Sequence, residues 1–410
     1  MRILLIVNPQ RRDMYEYLQN DLVAQYFLLW SESRGSIPFH ERKDSYPLTF
    51  TEEYYWNEFS TPVSLLRTIN PDKIVFMEII DLRQIALIVA AGAKNISTFY
   101  LEHGAAGSAA TAISRWSEVT LKNGKLQYYI SRFKTSLWKV IQAKFFYYSQ
   151  FSGFKTFNSR LKYWALPFKM LRGAPNNKVL ANNLFRERVP QHCIVFSRIN
   201  LEEFSVYTGI TEAEALLTGI PSFDKYFLQR PVEEDYLVYI DHPYFEERIA
   251  NWTDSHHRII AEKLFSFAAK KKLKIYIKLH PRSNKKLWES YKNKPQLVVI
   301  LQYEECTSLY LKSKLILGFS SSLTTAFLCA NKNFVLLGWN PVPKIFGMDF
   351  AETGLCHKSL HISDLENSFE FWCNNNLTHQ KEKYDAFIHQ CNEPFDGQAT
   401  KRVIDAIHTL

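Results

Sequence analysis

The apolar positions of this chain fall into short runs separated by stretches of helical period. Residues 3–7, 26–30, 73–77 and 96–101 are rich in Ile, Val, Leu, Phe and Tyr. Runs of that length between polar flanks predict buried strands. Asp81 stands where it would cap a helix over 82–91, and Gly92 where that helix would end. Residues 193–197 predict a further strand and 212–217 a short helix. Gly219 and Pro221 then mark a turn in which Phe223 packs. Near Asp235 the pattern restarts, with apolar runs at 236–240, 274–279, 297–301, 315–318 and 334–337. Between the first two of these, Ile260, Leu264, Phe267 and Ala268 share one helical face. From about Asp364 onward the chain reads as helical, with a turn at Asp396 and Gly397 before a last helix. Strands alternating with helices predict parallel sheets covered on both faces. Two such series predict two α/β domains, residues 1–230 and 231–410.

Composition supports that division. A chain of 410 residues exceeds one typical domain, and a hydrophobic content of 46% can fill two cores. No run approaches the ~18 apolar residues of a spanning helix, and residues 1–9 read as a first strand rather than a leader. Cysteines stand at 193, 306, 329, 356, 373 and 391 with no Cys-x-x-Cys pair, which predicts reduced core thiols and no structural zinc.

The net charge of +9 is unevenly placed. Residues 115–172 hold twelve Lys/Arg against one acid, Glu118, interleaved with fifteen aromatics that include Trp116, Tyr128, Tyr129, Phe133, Phe145 and Trp164. This basic aromatic insertion suits a membrane interface, where each cation contributes roughly 1 kcal/mol near anionic lipid. Its aromatics would otherwise complete the core. A groove for single-stranded nucleic acid is the weakest of the three readings.

Candidate chemistry clusters at strand ends. Lys278-Leu279 leads into His280-Pro281-Arg282, where Pro281 restricts His280 to an extended backbone and Arg282 adds a permanent charge. Gly318 leads into Phe319-Ser320-Ser321-Ser322-Leu323-Thr324, hydroxyls at a helix start that suit a phosphate. Carboxyl ends of parallel strands are where open sheets bind ligands. Residues 274–330 therefore read as the phosphate-binding half of a nucleotide site. Asp241-His242-Pro243 follows a strand of the same series and ranks behind His280. In the first half, Glu102-His103 ends a strand and precedes the small residues 104–107. Either side chain could serve as an exposed general base. A dinucleotide fingerprint, a P-loop, His-Glu-x-x-His and Asp-x-Asp are all absent.

The His280-Pro281 and Ser320-Ser321-Ser322 motifs resemble those of GT-B transferases that use cytidine-activated donors. These are the bacterial sialyl- and polysialyltransferases, the capsule Kdo transferases, and the CDP-glycerol glycerophosphotransferases. Residues 218–224 and 396–404 resemble the last group most. The resemblance covers roughly residues 70–110 and 190–410, not the basic insertion. It implies two Rossmann-like domains facing an interdomain cleft, with C-terminal helices. It implies that His280, with Pro281 and Arg282, meets the donor phosphate, that Ser320, Ser321, Ser322 and Thr324 hold it, and that Glu102 or His103 is the acceptor base. No cofactor or metal is implied beyond the CMP- or CDP-activated donor itself. The acceptor would be a surface polysaccharide or a lipid-linked glycan, met at the cytosolic face of the membrane through residues 115–172. A UDP-GlcNAc 2-epimerase-like enzyme and a non-enzymatic binding protein are the alternatives.

Overall fold

A computed structural model describes residues 1–7, 14–30, 48–103, 137–170, 176–229, 231–246, 252–302, 304–374 and 380–410. The chain divides into two compact units, residues 1–222 with 398–410, and residues 223–397.

The first unit is built on a seven-stranded sheet among the described residues. Its strands are β1 (Arg2–Val7), β2 (Gln25–Trp30), β3 (Phe50–Tyr55), β4 (Lys73–Phe76), β5 (Ser97–Leu101), β6 (His192–Val195) and β7 (Ala215–Leu217). They lie in the order β3-β2-β1-β4-β5-β6-β7, every pair parallel. The second unit holds β8 (Glu234–Ile240), β9 (Lys274–Lys278), β10 (Leu297–Leu301), β11 (Ser313–Gly318), β12 (Phe334–Leu337) and β13 (His357–Ser359). These lie in the order β10-β9-β8-β11-β12-β13, again all parallel. Counted from its own first strand, the second sheet runs 3-2-1-4-5-6, the doubly wound order of dinucleotide-binding folds, and the first runs the same order with a seventh strand added at the end. The switch point falls between β1 and β4 in one sheet and between β8 and β11 in the other. Central strands such as β1, β4 and β12 are almost wholly buried, as strands covered on both faces must be.

Three of the helices expected from sequence differ in the structure. Gly92 does not end its helix, which runs Leu82–Ala93 with the Asp81 carboxylate accepting from the Arg83 N–H at 2.8 Å. No positive φ is needed at Gly92, so its missing side chain stops nothing. The stretch expected as a helix over 212–217 is one 3₁₀ turn, Glu212–Glu214, followed by edge strand β7. The last helix, Ala399–Thr409, belongs to the first unit rather than to a domain 231–410, because its contacts are there. Lys73 Nζ donates to the carbonyls of Ile407 (2.6 Å) and His408 (3.0 Å), a cation on a helix C-terminus. His408 Nε2 meets Asp21 Oδ2 at 2.8 Å, and Arg402 Nε donates to Thr218 O at 2.8 Å.

The described part of the basic insertion forms two helices, Leu137–Tyr148 and Phe157–Met170. Their inner faces join the core through Phe146, Tyr147, Tyr163, Leu166 and Met170. The rings of Tyr147 and Tyr163 stack at 3.9 Å, and each hydroxyl donates to the other's backbone carbonyl, at 2.7 and 2.6 Å. Residues 104–136, which include Trp116, Tyr128, Tyr129 and Phe133, lie outside the described residues.

Two glycines separate conformational need from coincidence. A Cβ on Gly153 would meet the Val89 carbonyl oxygen at 2.9 Å, and its φ is +92°. A Cβ on Gly92 would meet nothing within 4 Å. Gly153→Ala is expected to cost about 1–3 kcal/mol. Gly92→Ala is expected to be neutral or to stabilise by up to about 1 kcal/mol. Thermal unfolding of the two variants checks the opposite signs.

Candidate active site

Each unit gathers polar groups at the carboxyl ends of its strands. In the first, Glu102 extends β5 by one residue, its N–H donating to Ile194 O at 3.0 Å. It is 8% exposed, so the expectation of an exposed carboxylate is corrected. The pocket around it is aromatic. Tyr100 donates its hydroxyl to Glu102 Oε2 at 2.9 Å and stacks on Phe204 at 4.0 Å. The Glu102 Oε1 atom accepts the His103 backbone N–H at 2.8 Å and lies 3.9 Å from His103 Nδ1. Burial pushes the Glu102 carboxyl up to about 7, with the charge of Glu203 adding to the rise. The bonds from His103 and Tyr100 oppose that rise without cancelling it. A carboxyl poised near neutrality is what a general base requires. His103 is half-buried beside it.

In the second unit, strand register sets the site. Ile240 pairs with Lys278 on one side and with Gly318 on the other. Gly318 lets the backbones close in, since a Cβ there would stand 3.1 Å from that of Ile240. The His280 turn is held by an inward-pointing amide. Gln302 Nε2 lies 3.3, 3.1 and 2.9 Å from the carbonyls of His280, Pro281 and Ser283. His280 Nδ1 accepts the Arg282 N–H at 3.1 Å, which places the ring proton on Nε2. Pro281 and Arg282 are exposed.

After β11, Ser320 is buried, Ser321 is the N-cap of the helix Ser322–Cys329, and Ser322 is exposed. Thr324 is fully enclosed. Its hydroxyl accepts the Ser321 N–H at 3.3 Å and donates to Phe319 O at 3.5 Å. Thr324 is therefore a cap that shapes the turn, not a group that a ligand reaches. Aromatic rings wall this end of the sheet. Tyr244 and Trp252 pack on Phe319 at 5.0 and 5.7 Å, and Trp252 Nε1 donates to Asn340 Oδ1 at 3.0 Å.

Sequence reading missed Gln302, Tyr100 and the aromatic wall. Gln302 directly follows β10 and Tyr100 sits two residues before Glu102, so both positions carried a signal of place without one of chemistry. The small residues 104–107 after His103 lie outside the described residues.

The Glu102 shift carries a stability consequence. Its folded value, about 7, lies above the ordinary 4.5. Between those values the folded state holds the extra proton, so stability falls as pH rises through that window. Glu102→Gln removes the titration. Its thermal stability is expected to gain on wild type from about pH 4.5 to about pH 7 and to hold a constant lead above. A lead independent of pH would overturn the assignment of that titration to Glu102.

No curated protein matches the sequence. Solved structures match across the whole chain. The UDP-GlcNAc 2-epimerase from Methanocaldococcus jannaschii matches with TM-score 0.51 and 11% identity over 100% of this chain and 99% of that one. The UDP-GlcNAc 2-epimerase from Neisseria meningitidis, bound to UDP-GlcNAc, gives 0.51 and 13% over 100% of both. The glycotransferase of kitacinnamycin gives 0.52 and 10% over 99% and 98%. At such identities the likeness is one of fold, and the fold is GT-B. The alpha-2,8-polysialyltransferase (POLYST) family model matches residues 57–326, more than half of the chain, and takes in Glu102, His280 and Ser320. Among the transferases its motifs resemble, this GT-B glycosyltransferase belongs to the alpha-2,8-polysialyltransferase family.

Proposed function

We propose that the protein transfers a sugar from a CMP-activated donor of the sialic-acid class to a glycan acceptor, without a metal. Two observations, one in each unit, support this reading: a buried, near-neutral carboxyl at a strand end of the first, and a strand edge lined by imidazole and hydroxyl groups in the second. Glu102 accepts the proton of the acceptor hydroxyl as its oxygen attacks the anomeric carbon. The bond from that carbon to the donor phosphate breaks, and the nucleotide leaves with the electron pair. The His280 Nε2–H and the N-terminus of the helix Ser322–Cys329 face the charge that develops on the phosphate. Arg282 adds a fixed positive charge beside them. Glu102 is favoured over His103 as the base because its ionisation is drawn to neutrality, while His103 supplies the N–H that orients it.

The acceptor side includes the insertion. Phe157, Leu161, Trp164 and Phe168 repeat at helical spacing on the outer face of their helix and are 73%, 53%, 41% and 65% exposed. Phe151 packs on Trp164 at 5.6 Å and is itself exposed, as is Phe145 on the preceding helix. Residues 137–170 carry six Lys/Arg and no acidic residue. An outward apolar stripe in a wholly basic segment suits an anionic lipid surface, where the acceptor of a membrane-bound glycan would be presented. No described helix is long and apolar enough to cross a membrane.

Two measurements test the reading. Sugar transfer is assayed with CMP-sialic acid, CMP-Kdo, CDP-glycerol and UDP-GlcNAc, each with and without acceptor and with chelator present. CMP-sialic acid is expected to be consumed only with acceptor, and His280→Ala to lower turnover by about 10²-fold or more. Acceptor-independent turnover of UDP-GlcNAc would replace the reading with epimerase chemistry. Vesicle flotation tests the surface. Wild type is expected to bind vesicles containing anionic lipid, and Phe157→Ser with Phe168→Ser to weaken binding by about tenfold or more. Steeply salt-dependent binding of single-stranded RNA with no flotation would reverse the assignment.

A further inference from the structure

Sheet register makes a demand on the donor site that neither His280 nor Ser320 meets. Ile240, Lys278 and Gly318 are level with one another on β8, β9 and β11. Two residues further along each strand direction stand His242, His280 and Ser320. These three positions form one row across the carboxyl edge, with β8 in the middle. Neighbouring strands lie about 4.8 Å apart, so the His280 and Ser320 backbones are separated by roughly 10 Å. One phosphate held between them must lie over the end of β8, at the switch point.

His242 occupies that place. Its ring lies 5.9 Å from the His280 ring with planes 20° apart, and 4.5 Å from the ring of Tyr244. Tyr244 in turn packs on Phe319, next to Ser320. Both imidazoles are half-buried at the strand ends. The local sequence aims His242 as it aims His103. Tyr239-Ile240-Asp241-His242 repeats the order of Tyr100-Leu101-Glu102-His103. In both, an aromatic hydroxyl two residues upstream reaches the acid, with Tyr239 OH 3.4 Å from Asp241 Oδ1. In both, the histidine backbone N–H returns to that acid. The acid is enclosed and fixes the backbone, so the imidazole beyond it is set at the rim.

We infer that His242 contacts the phosphate of the bound nucleotide at the centre of the His280–His242–Ser320 row. Its side chain is a donor-binding group of the transferase, and Asp241 is its positioning residue. The inference rests on the reading that the second unit holds a nucleotide by its phosphate.

Calorimetric titration of the full chain with CMP and with cytidine tests both levels separately. Wild type is expected to prefer CMP to cytidine. His242→Gln is expected to reduce CMP affinity about 10- to 100-fold, the effect of one hydrogen bond to a charged group, while leaving cytidine affinity unchanged. An unchanged preference for CMP in His242→Gln overturns the role of His242 and leaves the donor reading standing. Absence of any CMP preference in wild type overturns the donor reading and the inference with it. A measurement on the unaltered protein removes dependence on the variant's folding. Carbethoxylation mapped by mass spectrometry is expected to show His242 protected by CMP and not by cytidine. Equal modification under saturating CMP and saturating cytidine overturns the inference.

Discussion

A strand whose two neighbours are reached by crossovers on opposite faces has a carboxyl end that no connection covers. That constraint governs both sheets of this protein. Each uses the same order outward from its first strand, so each leaves one open edge where the winding reverses. Polar side chains can stand there without breaking a core, because the residues before them are already paired on both sides. Tyr100 and Tyr239 show how close the two environments come. Their rings are core, and their hydroxyls touch the first polar groups of the edge.

How far the fold could be read from sequence depended on burial. Central strands were legible because both faces are covered and their residues are uniformly apolar. The edges were not. β3 reads Phe-Thr-Glu-Glu-Tyr-Tyr, with exposed Thr51 and Glu52, and β13 is a three-residue strand His-Lys-Ser. Such strands are held by pairing with a formed sheet rather than by their own pattern. The assignment of the last helix could not be read either. It depends on Lys73, Asp21 and Thr218, which lie between 184 and 387 residues from their partners in the helix.

The site divides in a similar way. Histidines and serines after apolar runs announced themselves, because few positions combine those residue types with a strand end. What surrounds them did not. The near-neutral carboxyl of Glu102 comes from burial and from the charge of Glu203, which sits on the helix Arg198–Thr208 about a hundred residues away. Gln302 serves the His280 turn only because β9 and β10 are neighbours. Thr324 looked like one more hydroxyl in a series, but the capping geometry of the turn turns it inward. The insertion was read as either core or surface, and its two helices are both, with stacked tyrosines inside and a row of bare aromatics outside.

The return of Ala399–Thr409 to the first unit bears on how the chain is made. On the ribosome, residues 1–222 emerge before the second unit, yet their sheet lacks the helix that covers Asp21 and Lys73 until all of 223–397 has followed. The second unit is continuous in sequence, so all of its residues have been made once Gly397 is out. The half that begins first is thus completed last. A chain stalled short of Gln398 would hold all of residues 223–397 while Asp21 and Lys73 still lacked the partners that the final helix supplies.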